Sequence, residues 1–309
     1  MNKLKKKKQK PKWNLQRNWQ LHALVLPAVI VALLFQYLPM AGLVMAFQDY
    51  EPWLGFLNSE WVGLEHFRTM FTYDDARQVI WNTFVISILK IIFQVLVPLT
   101  FALLLNEVYH MTYKRTVQTI VYLPHFLSWV ILGGILLDML SPETGIVNQM
   151  LVGLFGIEPI FFLGSNDWFR PVVIISDIWK DFGFNTIVFL AAITAVNPQL
   201  YEAAVIDGAN RWKQTLRITI PAMLPIIIVV ATLSLGNILN AGFDQIFNLY
   251  NPLVYETGDI IDTYVYRVGL LNGDFSYGTA VGLFKSLISL VLVVAGYRLA
   301  YKYADYRIF

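Results

Sequence analysis

Between two apolar segments the chain reads Asn197-Pro-Gln-Leu-Tyr-Glu-Ala-Ala-Val-Ile-Asp-Gly-Ala-Asn-Arg-Trp-Lys-Gln-Thr-Leu-Arg-Ile-Thr-Ile-Pro221. The first residue, Asn197, is a good helix N-cap, and the proline after it suits the first position of a helix. Gly208 permits the positive φ of a helix end, so the first helix is predicted to stop there. A second short helix can start near Asn210. This stretch, called loop 197–221 below, therefore predicts two short helices joined by a tight turn.

One face of the first short helix carries small side chains. Four residues spaced three and four positions apart share that side of the helix: Leu200, Ala203, Ala204 and Asp207. The two alanines allow another surface to approach the backbone closely, which suits insertion into a groove of a partner protein. A connector resting on lipid headgroups has the same pattern, and these residues alone do not separate the two interpretations.

The composition is that of a membrane protein. Of the 309 residues 57% are hydrophobic and 14% are charged, and the mean hydropathy is +0.55. A soluble chain carries charge on about a quarter of its residues. The net charge of +2 gives no reason to expect a nucleic-acid partner. The absence of cysteine excludes disulfides, thiolate metal ligands and cysteine nucleophiles, and the four histidines are too scattered to predict a metal site.

Six segments are long and apolar enough to be membrane-spanning helices, because a span needs about 20 mostly apolar residues. They cover residues 24–47, 79–105, 118–140, 171–195, 222–245 and 279–300. The fourth segment is interrupted by three charged residues, Asp177, Lys180 and Asp181. The first segment is too long for the apolar core of a signal peptide, so it is predicted to be retained. The sequence thus predicts an all-α membrane protein with a basic cytoplasmic tail at 1–23 and a six-helix domain at 24–309.

The distribution of lysine and arginine predicts the orientation of these spans. With the N-terminus in the cytoplasm, 16 of the 23 lysines and arginines lie on the inner side, 4 lie in outer loops and 3 lie within spans. Cytoplasmic loops are enriched in these residues, so both termini and loop 197–221 are predicted to be cytoplasmic. The outer loops, residues 48–78, 141–170 and 246–278, are rich in aromatic residues, which form either an interfacial belt or a docking surface for an external partner.

Loop 197–221 resembles the EAA loop of the permease subunits of ABC importers. The resemblance lies in Glu202-Ala203-Ala204, then three residues, Gly208, nine residues, Ile218, one residue and Ile220-Pro221. The family pattern has leucine where this chain has Ile220, and every other fixed position matches. The fuller pattern from Tyr201 to Trp212 is similar to the carbohydrate permeases of the maltose-transporter type.

Two stretches near the N-terminus extend the resemblance to nearly the whole chain. Tyr37–Tyr50 and Gly63–Phe67 are similar to the polysaccharide and oligosaccharide branch of these permeases, which works with a binding lipoprotein. The resemblance implies a type I ABC importer permease fold. It also implies that loop 197–221 is the coupling helix, seated in a cleft of an ATPase subunit. The ATPase-coupling candidates are then Glu202, Ala203, Ala204, Asp207, Gly208, Arg211, Ile218 and Pro221.

The resemblance implies a permease in the bacterial cell membrane that forms half of a translocation pathway for an oligosaccharide or polysaccharide fragment. The implied partners are two copies of an ABC ATPase, a second homologous permease in a heterodimer, an extracytoplasmic solute-binding lipoprotein, the carbohydrate and the lipid bilayer. No Gly-x4-Gly-Lys-Ser/Thr phosphate-binding loop occurs in the sequence. ATP and Mg are therefore expected on the partner ATPase, with no cofactor on this chain and no enzymatic activity of its own.

Polar residues on the faces of the predicted spans are the candidates for a substrate pathway, because ionisable and amide groups in spans usually face a cavity or a partner. The candidates are Trp179, Asn185, Asn237, Asn240, Asp244, Gln245 and Lys285. Ser87, Lys90 and Gln94 share a face of the second span, and Lys180 is placed to pair with Asp177. The alternative role of such residues is to hold neighbouring helices together.

Three alternative functions differ in what they require of the sequence. An ion-coupled secondary transporter is compatible with the charged spans, but it leaves the EAA pattern unexplained and requires inverted repeats that the sequence does not show. A membrane enzyme would need paired catalytic carboxylates or a histidine metal cluster in a common loop, and the sequence has neither. A permease for peptide, phosphate or metal ions has the same coupling loop, so the carbohydrate assignment depends on the resemblance.

Overall fold

A computed structural model describes residues 19–236 and 238–304, which are helical apart from loops, turns and one pair of two-residue strands. Of the predicted basic tail 1–23, residues 1–18 lie outside this part of the chain. Four helices are long and apolar enough to cross a membrane, or up to six if each of two bent helix pairs is one span. The predicted all-α membrane architecture is confirmed at this level.

The first long helix covers Trp19–Phe47. It begins as α1 (Trp19–Ala32), widens to π-helix over Leu33–Tyr37 and tightens to 3₁₀-helix over Leu38–Phe47. An antiparallel pair follows, in which β1 (Gln48–Asp49) meets β2 (Glu60–Trp61), with Gln48 opposite Trp61. The remaining segments before the second long helix are α2 (Gly55–Asn58) and α3 (Glu65–Thr72).

Two long helices form the centre of the molecule, α4 (Asp74–Asn106) and α8 (Asn166–Thr194). Between them come α5 (Met111–Tyr122), a 3₁₀ turn (Leu123–Phe126), α6 (Trp129–Met139) and α7 (Ile146–Phe155). α4 and α8 pack together with α11, described below, through a buried cluster of Val95, Ala102, Phe189, Ile193 and Met223. The long apolar contact holds α4 and α8 side by side, so polar residues at similar depth on the two helices can meet.

The third predicted span, residues 118–140, is not one straight helix. α5 with its 3₁₀ turn and α6 are bent by 104°. The chain leaves the helix at Leu127 and Ser128, whose backbone is extended, and the Ser128 hydroxyl then accepts a hydrogen bond from the Ile131 amide as the N-cap of α6. Hydropathy alone does not reveal this break, because the sequence stays apolar across it.

Loop 197–221 contains α9 (Pro198–Ile206) and α10 (Arg211–Gln214). α9 is bent by 67° from α8, and α10 continues through a π-helical turn (Thr215–Thr219) into α11 (Ile220–Leu235). The second predicted helix of the loop is therefore the start of the fifth predicted span. The proline at 221 is the second residue of α11 and follows directly on the π-helical turn.

The prediction that residues 222–245 form one continuous helix is wrong. α11 ends at Leu235, and the next helix, α12 (Phe243–Leu249), begins after Gly242, whose φ is +93°. Residues 238–242, called stretch 238–242 below, are non-helical. The chain then passes through a 3₁₀ turn (Pro252–Val254), α13 (Tyr255–Gly258), α14 (Ile261–Val265) and a π-helical turn (Tyr266–Leu271) to the last long helix, α15 (Phe275–Ala304).

Candidate functional site

A cavity of about 360 Å³ with many polar side chains in its walls lies where α4, α8, α11 and stretch 238–242 meet. Its walls come from residues far apart in the sequence: Ser87, Lys90, Ile91, Gln94, Asp177, Asp181, Asn185, Val188, Val230, Ser234, Asn240 and Gly242. Amide, hydroxyl and carboxylate groups are frequent in these walls, although the surrounding helices are apolar. The cavity is therefore a place among the long helices where a polar solute could be accommodated.

The wall on α4 carries a buried lysine. Lys90 is 6% exposed, and its ammonium lies 3.0 Å from Asp177 Oδ1 on α8. It donates a second hydrogen bond, of 2.8 Å, to the carbonyl oxygen of Ala241, and a third to Gln245 Oε1. The expected partner of Asp177 was Lys180, and this prediction is wrong. Since α4 packs along α8, a lysine on the neighbouring helix reaches the carboxylate more directly than one three residues away on α8 itself.

A chain of amides continues from this ion pair along the cavity. Gln94 Nε2 donates to the carbonyl oxygen of Asp177 at 3.2 Å and to its carboxylate at 3.3 Å. Asn185 Nδ2 donates to Gln94 Oε1 at 2.7 Å. The network links one turn of α4 to about two turns of α8. It fixes the orientation of the Gln94 and Asn185 amides in the cavity wall.

One buried polar atom in the cavity wall has no partner in the described part of the chain. Ser87 is 1% exposed, and its hydroxyl oxygen makes no hydrogen bond there. A buried hydroxyl without a partner loses the hydration it had in water and gains nothing in exchange. Ser87 lies about one helical turn from Lys90 among the residues that line the cavity, and its hydroxyl is the buried polar group there that lacks a partner.

Two further charged residues of α8, Lys180 and Asp181, contact the bend in the third predicted span. Lys180 donates to the carbonyl oxygen of His125 at 2.8 Å and lies 3.7 Å from Asp181. His125 Nδ1 is 2.8 Å from Asp181 Oδ1, and its ring stacks on Phe184 with centroids 4.1 Å apart. These contacts fasten the 3₁₀ turn before α6 to α8, so Asp181 both lines the cavity and braces the bend.

Three of the predicted pathway residues lie at or beside the cavity. Asn185 and Asn240 line it. Gln245 is fully buried and donates to Val173 O at 2.7 Å and to Ser176 Oγ at 2.9 Å, so it holds α12 against α8.

The remaining candidates are elsewhere. Trp179 and Asp244 are exposed and are not among the cavity residues. Lys285 on α15 pairs with Asp262 at 2.5 Å, in the contact between α15 and α14. Asn237 lies outside the described residues.

Several cavity residues were not among the predicted candidates: Ser87, Lys90, Gln94, Asp177, Asp181, Ser234 and Gly242. A sequence signal existed for five of them: Ser87, Lys90 and Gln94 are spaced three and four residues apart on one face of a span, and Asp177 and Asp181 are charged residues within the fourth predicted span. That spacing identifies a polar face, but it does not identify the helix or loop that the face meets.

Near the start of α4 a second polar network joins other elements. Asn82 is fully buried, and its side-chain nitrogen donates to the carbonyl oxygens of Glu256 and Asp259, at 3.1 and 3.0 Å. The Asp259 carboxylate accepts hydrogen bonds from Arg267 and Thr263. Burial raises the pKa of the Asp259 carboxyl, against the opposing effect of those two hydrogen bonds. The network braces α13 and α14 on α4.

Loop 197–221 has the local geometry that its sequence predicts. Asn197 Oδ1 accepts from the Gln199 amide at 3.0 Å, and Asn210 Oδ1 accepts from the Lys213 amide at 2.9 Å, so both asparagines are N-caps. Gly208 has φ +73°, in the left-handed region that favours glycine. Backbone hydrogen bonds from the Gly208 and Ala209 amides to the last turn of α9 close the turn locally.

One face of loop 197–221 is exposed. Glu202, Ala203 and Asp207 are exposed, and Ile206 is 87% exposed. The opposite side is anchored, since the Tyr201 hydroxyl lies 2.9 Å from Thr219 Oγ1. The loop thus presents small, apolar and acidic residues on an anchored base, which is a geometry suited to docking in a groove of another protein.

The chain belongs to the family described as the binding-protein-dependent transport system inner membrane component, which matches residues 94–305. It is therefore a multi-pass permease subunit of a binding-protein-dependent ABC importer, as the EAA pattern predicts. This confirms the predicted family, function class and membrane location. The match includes α8, loop 197–221, stretch 238–242 and all of α15.

Two curated relatives from Bacillus subtilis strain 168 resemble nearly the whole chain. The polygalacturonan/rhamnogalacturonan transport system permease protein YteP is 47% identical over 289 residues, which are 94% of this chain and 90% of that protein. The protein LplB is 43% identical over 295 residues, which are 96% of this chain and 92% of that protein. The coverage shows that the similarity is not limited to loop 197–221.

The fold also matches a solved transporter. A chain in the crystal structure of a bacterial ABC transporter involved in the import of the acidic polysaccharide alginate is 44% identical, with a TM-score of 0.86. The match covers 94% of this chain and 97% of that chain. At this identity and coverage the helical arrangement described above is the fold of an ABC importer permease.

Proposed function

We propose that this permease carries an oligosaccharide or a polysaccharide fragment and forms half of its translocation pathway. The observation that carries the proposal is the polar cavity between α4, α8 and stretch 238–242, in a chain that is 47% identical to a polygalacturonan/rhamnogalacturonan permease. Sugar hydroxyls need both hydrogen-bond donors and acceptors, and the cavity offers amides, hydroxyls and carboxylates. Asn185, Asn240, Gln94 and Ser87 are the proposed sugar contacts.

The second part of the proposal is that loop 197–221 couples the cavity to ATP hydrolysis. α9 would seat in a cleft of an ATPase subunit, with Ala203 and Ala204 permitting a close approach and Glu202, Asp207 and Arg211 at the edge of the contact. Gly208, Ile218 and Pro221 maintain the shape of the loop. ATP and Mg would be held by the ATPase, which is present in two copies.

The remaining proposed partners complete the pathway. A second, homologous permease would supply the other wall of the cavity in a heterodimer. An extracytoplasmic binding lipoprotein would deliver the sugar, by analogy with the alginate transporter that has been solved with a pentasaccharide-bound periplasmic protein and is 44% identical to this chain. A role along the pathway is also proposed for four further residues, Trp179, Asn237, Asp244 and Lys285.

The proposal is tested with the assembled transporter reconstituted in lipid together with its binding protein. ATPase activity is measured with uronic-acid oligosaccharides, neutral oligosaccharides, amino acids and inorganic phosphate as the loaded solutes. We expect stimulation by at least one class of oligosaccharide and by neither of the other solutes. Stimulation by an amino acid or by phosphate, with none by oligosaccharides, would contradict the substrate assignment and leave the importer class intact.

A further inference from the structure

At the break between α11 and α12, one side chain donates a hydrogen bond to a backbone carbonyl oxygen that has no helical partner. Where a helix is interrupted, carbonyl oxygens lose their partners four residues ahead, and a membrane interior offers no bulk water to replace them. Ala241 is fully buried within stretch 238–242, and its carbonyl oxygen accepts a hydrogen bond of 2.8 Å from Lys90. The lysine therefore acts as the missing partner of a broken helix.

All three hydrogens of the Lys90 ammonium are engaged. They point to Ala241 O, Asp177 Oδ1 and Gln245 Oε1, which belong to stretch 238–242, α8 and α12. A lysine ammonium has three donors and no acceptor, so no donor remains for a solute. Lys90 thus joins three elements to α4, and its position in the cavity wall comes from this junction.

The backbone of the stretch is shaped around the lysine. Gly242 has φ +93°, and a Cβ added there would lie 3.1 Å from the Lys90 nitrogen. An L-residue at this position would be strained and would crowd the ammonium. The glycine and the lysine therefore form one closely packed unit beside Asn240, which lines the cavity.

We infer that Lys90 is a positioning residue for transport. It holds stretch 238–242 so that Asn240 lines the cavity, and it acts through that backbone rather than through contact with the sugar. The inference rests on the proposed function, because it assumes that the cavity is part of the sugar pathway. Its structural half, the hold on stretch 238–242, can be measured without any sugar.

A matched lysine exists at the other break. Lys180 is 8% exposed and donates to the carbonyl oxygen of His125 at 2.8 Å, beside the bend between α5 and α6. It belongs to the same charged region, but among the described residues it makes no hydrogen bond to stretch 238–242. Lys180→Met therefore controls for the loss of a buried lysine in general.

The structural test is thiol labelling, which is direct because the chain contains no cysteine. Leu239→Cys, at a position 4% exposed within the stretch, is treated with N-ethylmaleimide in the assembled transporter. The reaction is followed with the native lysines in place and again in the Lys90→Met and Lys180→Met backgrounds. Lys90→Met removes three hydrogen bonds, and the loss of the bond to Ala241 alone shifts a local opening equilibrium by about tenfold, so we expect labelling at least about tenfold faster in Lys90→Met. Ala102→Cys, at a fully buried position of α4, should remain slow in every background.

Each labelling outcome has a single consequence. Fast labelling of Leu239→Cys in Lys90→Met, with slow labelling in Lys180→Met, supports the inference. Unchanged labelling in Lys90→Met overturns it, and so does equally fast labelling in Lys180→Met. If Lys90→Met also exposes Ala102→Cys, the Lys90→Arg variant decides, because it keeps the charge and the donors: protection of Leu239→Cys supports the role, and reactivity there overturns it.

The functional test uses the same lysine variants with the sugar that stimulates the transporter. A positioning role predicts that Lys90→Met raises the half-saturating concentration of neutral and acidic oligosaccharides alike, by about tenfold, while the maximal ATPase rate falls less. A selective loss for acidic oligosaccharides would mean direct contact and would overturn the inference. If labelling changes as expected while no sugar stimulates the transporter, the hold on the stretch stands and the proposed function fails.

Discussion

Loop 197–221 and the central cavity are both candidate functional regions, but they are built in opposite ways. In the loop the contacts that set the helix starts are local: Asn197 and Asn210 cap helices by bonding to amides two and three residues ahead. In the cavity the decisive contacts join residues far apart, and Lys90 and Ala241 are separated by 151 positions. The comparison teaches that a docking surface can be encoded in one short stretch, whereas a pathway through the membrane requires several helices to meet.

The two regions also use charge differently. Lys90 and Asp177 are largely buried, with side-chain exposures of 8% and 17%. Arg211 and Glu107, which connect the loop to the end of α4, are 66% and 43% exposed and 4.0 Å apart. An exposed pair contributes little because water and salt screen it, whereas a buried charge that loses its partner is strongly destabilising. The cavity should therefore be fragile and the loop tolerant to single changes of charge.

The largest effect is expected from Asp177→Ala. This change leaves the Lys90 ammonium buried without its counter-charge, and breaking a buried pair costs about 3–5 kcal/mol. We expect a marked drop in the thermal stability of the purified permease, measured by loss of the folded monodisperse species on heating. Asp74→Ala is the control, because Asp74 pairs with Arg77 at an exposed position and should cost little. Equal stability of the two variants would contradict the contrast between buried and exposed charge.

An intermediate effect is expected from Gly208→Val. Valine at φ +73° is strained by about 1–3 kcal/mol, although no neighbouring atom lies within 4 Å of a Cβ there. The strain should distort the turn between α9 and α10 and lower binding-protein-stimulated ATPase activity several-fold, with little change in the melting temperature of the permease.

Gly208→Asn is the matched control for this turn, because asparagine tolerates the left-handed region better than other residues do. It should retain most of the stimulated ATPase activity. Full coupling in Gly208→Val would remove the support for a lever role of the loop. A large loss of permease stability in Gly208→Val would instead show that the loop is not as independent of the membrane helices as its local contacts indicate.

The smallest effect on stability is expected from Ser87→Ala. The buried Ser87 hydroxyl makes no hydrogen bond within the described chain, so its removal should leave the melting temperature unchanged or raise it slightly. If the hydroxyl binds sugar, the half-saturating oligosaccharide concentration should rise by about two- to fivefold, which corresponds to a weak neutral hydrogen bond.

Thr83→Ala, about one turn earlier on α4, is the control for Ser87→Ala. Its hydroxyl donates to Val79 O and accepts from the Ile261 amide, so the change should lower stability without altering the response to sugar. A Ser87→Ala permease that melts earlier but responds normally to sugar would assign the hydroxyl to the fold rather than to the pathway.

Much of the fold could be predicted because its determinants are local or additive. Four predicted spans, 24–47, 79–105, 171–195 and 279–300, each fall inside one continuous helical stretch to within one residue. Mean hydropathy over a window suffices for that. The two failures, at 118–140 and 222–245, are breaks in apolar sequence. At each break a lysine from another part of the chain, Lys180 or Lys90, donates to a carbonyl oxygen.

The residues of the candidate site were likewise predictable only where the signal is local. Asn185 and Asn240 were predicted and line the cavity. Gln245 was predicted for the same reason, but it is fully buried and braces α12. A polar face on a helix is visible in the sequence, whereas the surface that it meets is not. The same residue type can therefore line a pathway or hold two helices together, depending on its neighbours.

The sequence by itself determined the membrane class, the shape of loop 197–221 and the importer family. These depend on hydrophobic segments of sufficient length, on caps that bond within three residues, and on a motif of 20 contiguous positions from Glu202 to Pro221. Only the tertiary structure decided that Asp177 pairs with Lys90, that α11 stops at Leu235, and that a cavity forms beside the break. The physical reason is that buried charges and freed carbonyls are satisfied by whichever partner the packing of α4 against α8 brings within reach.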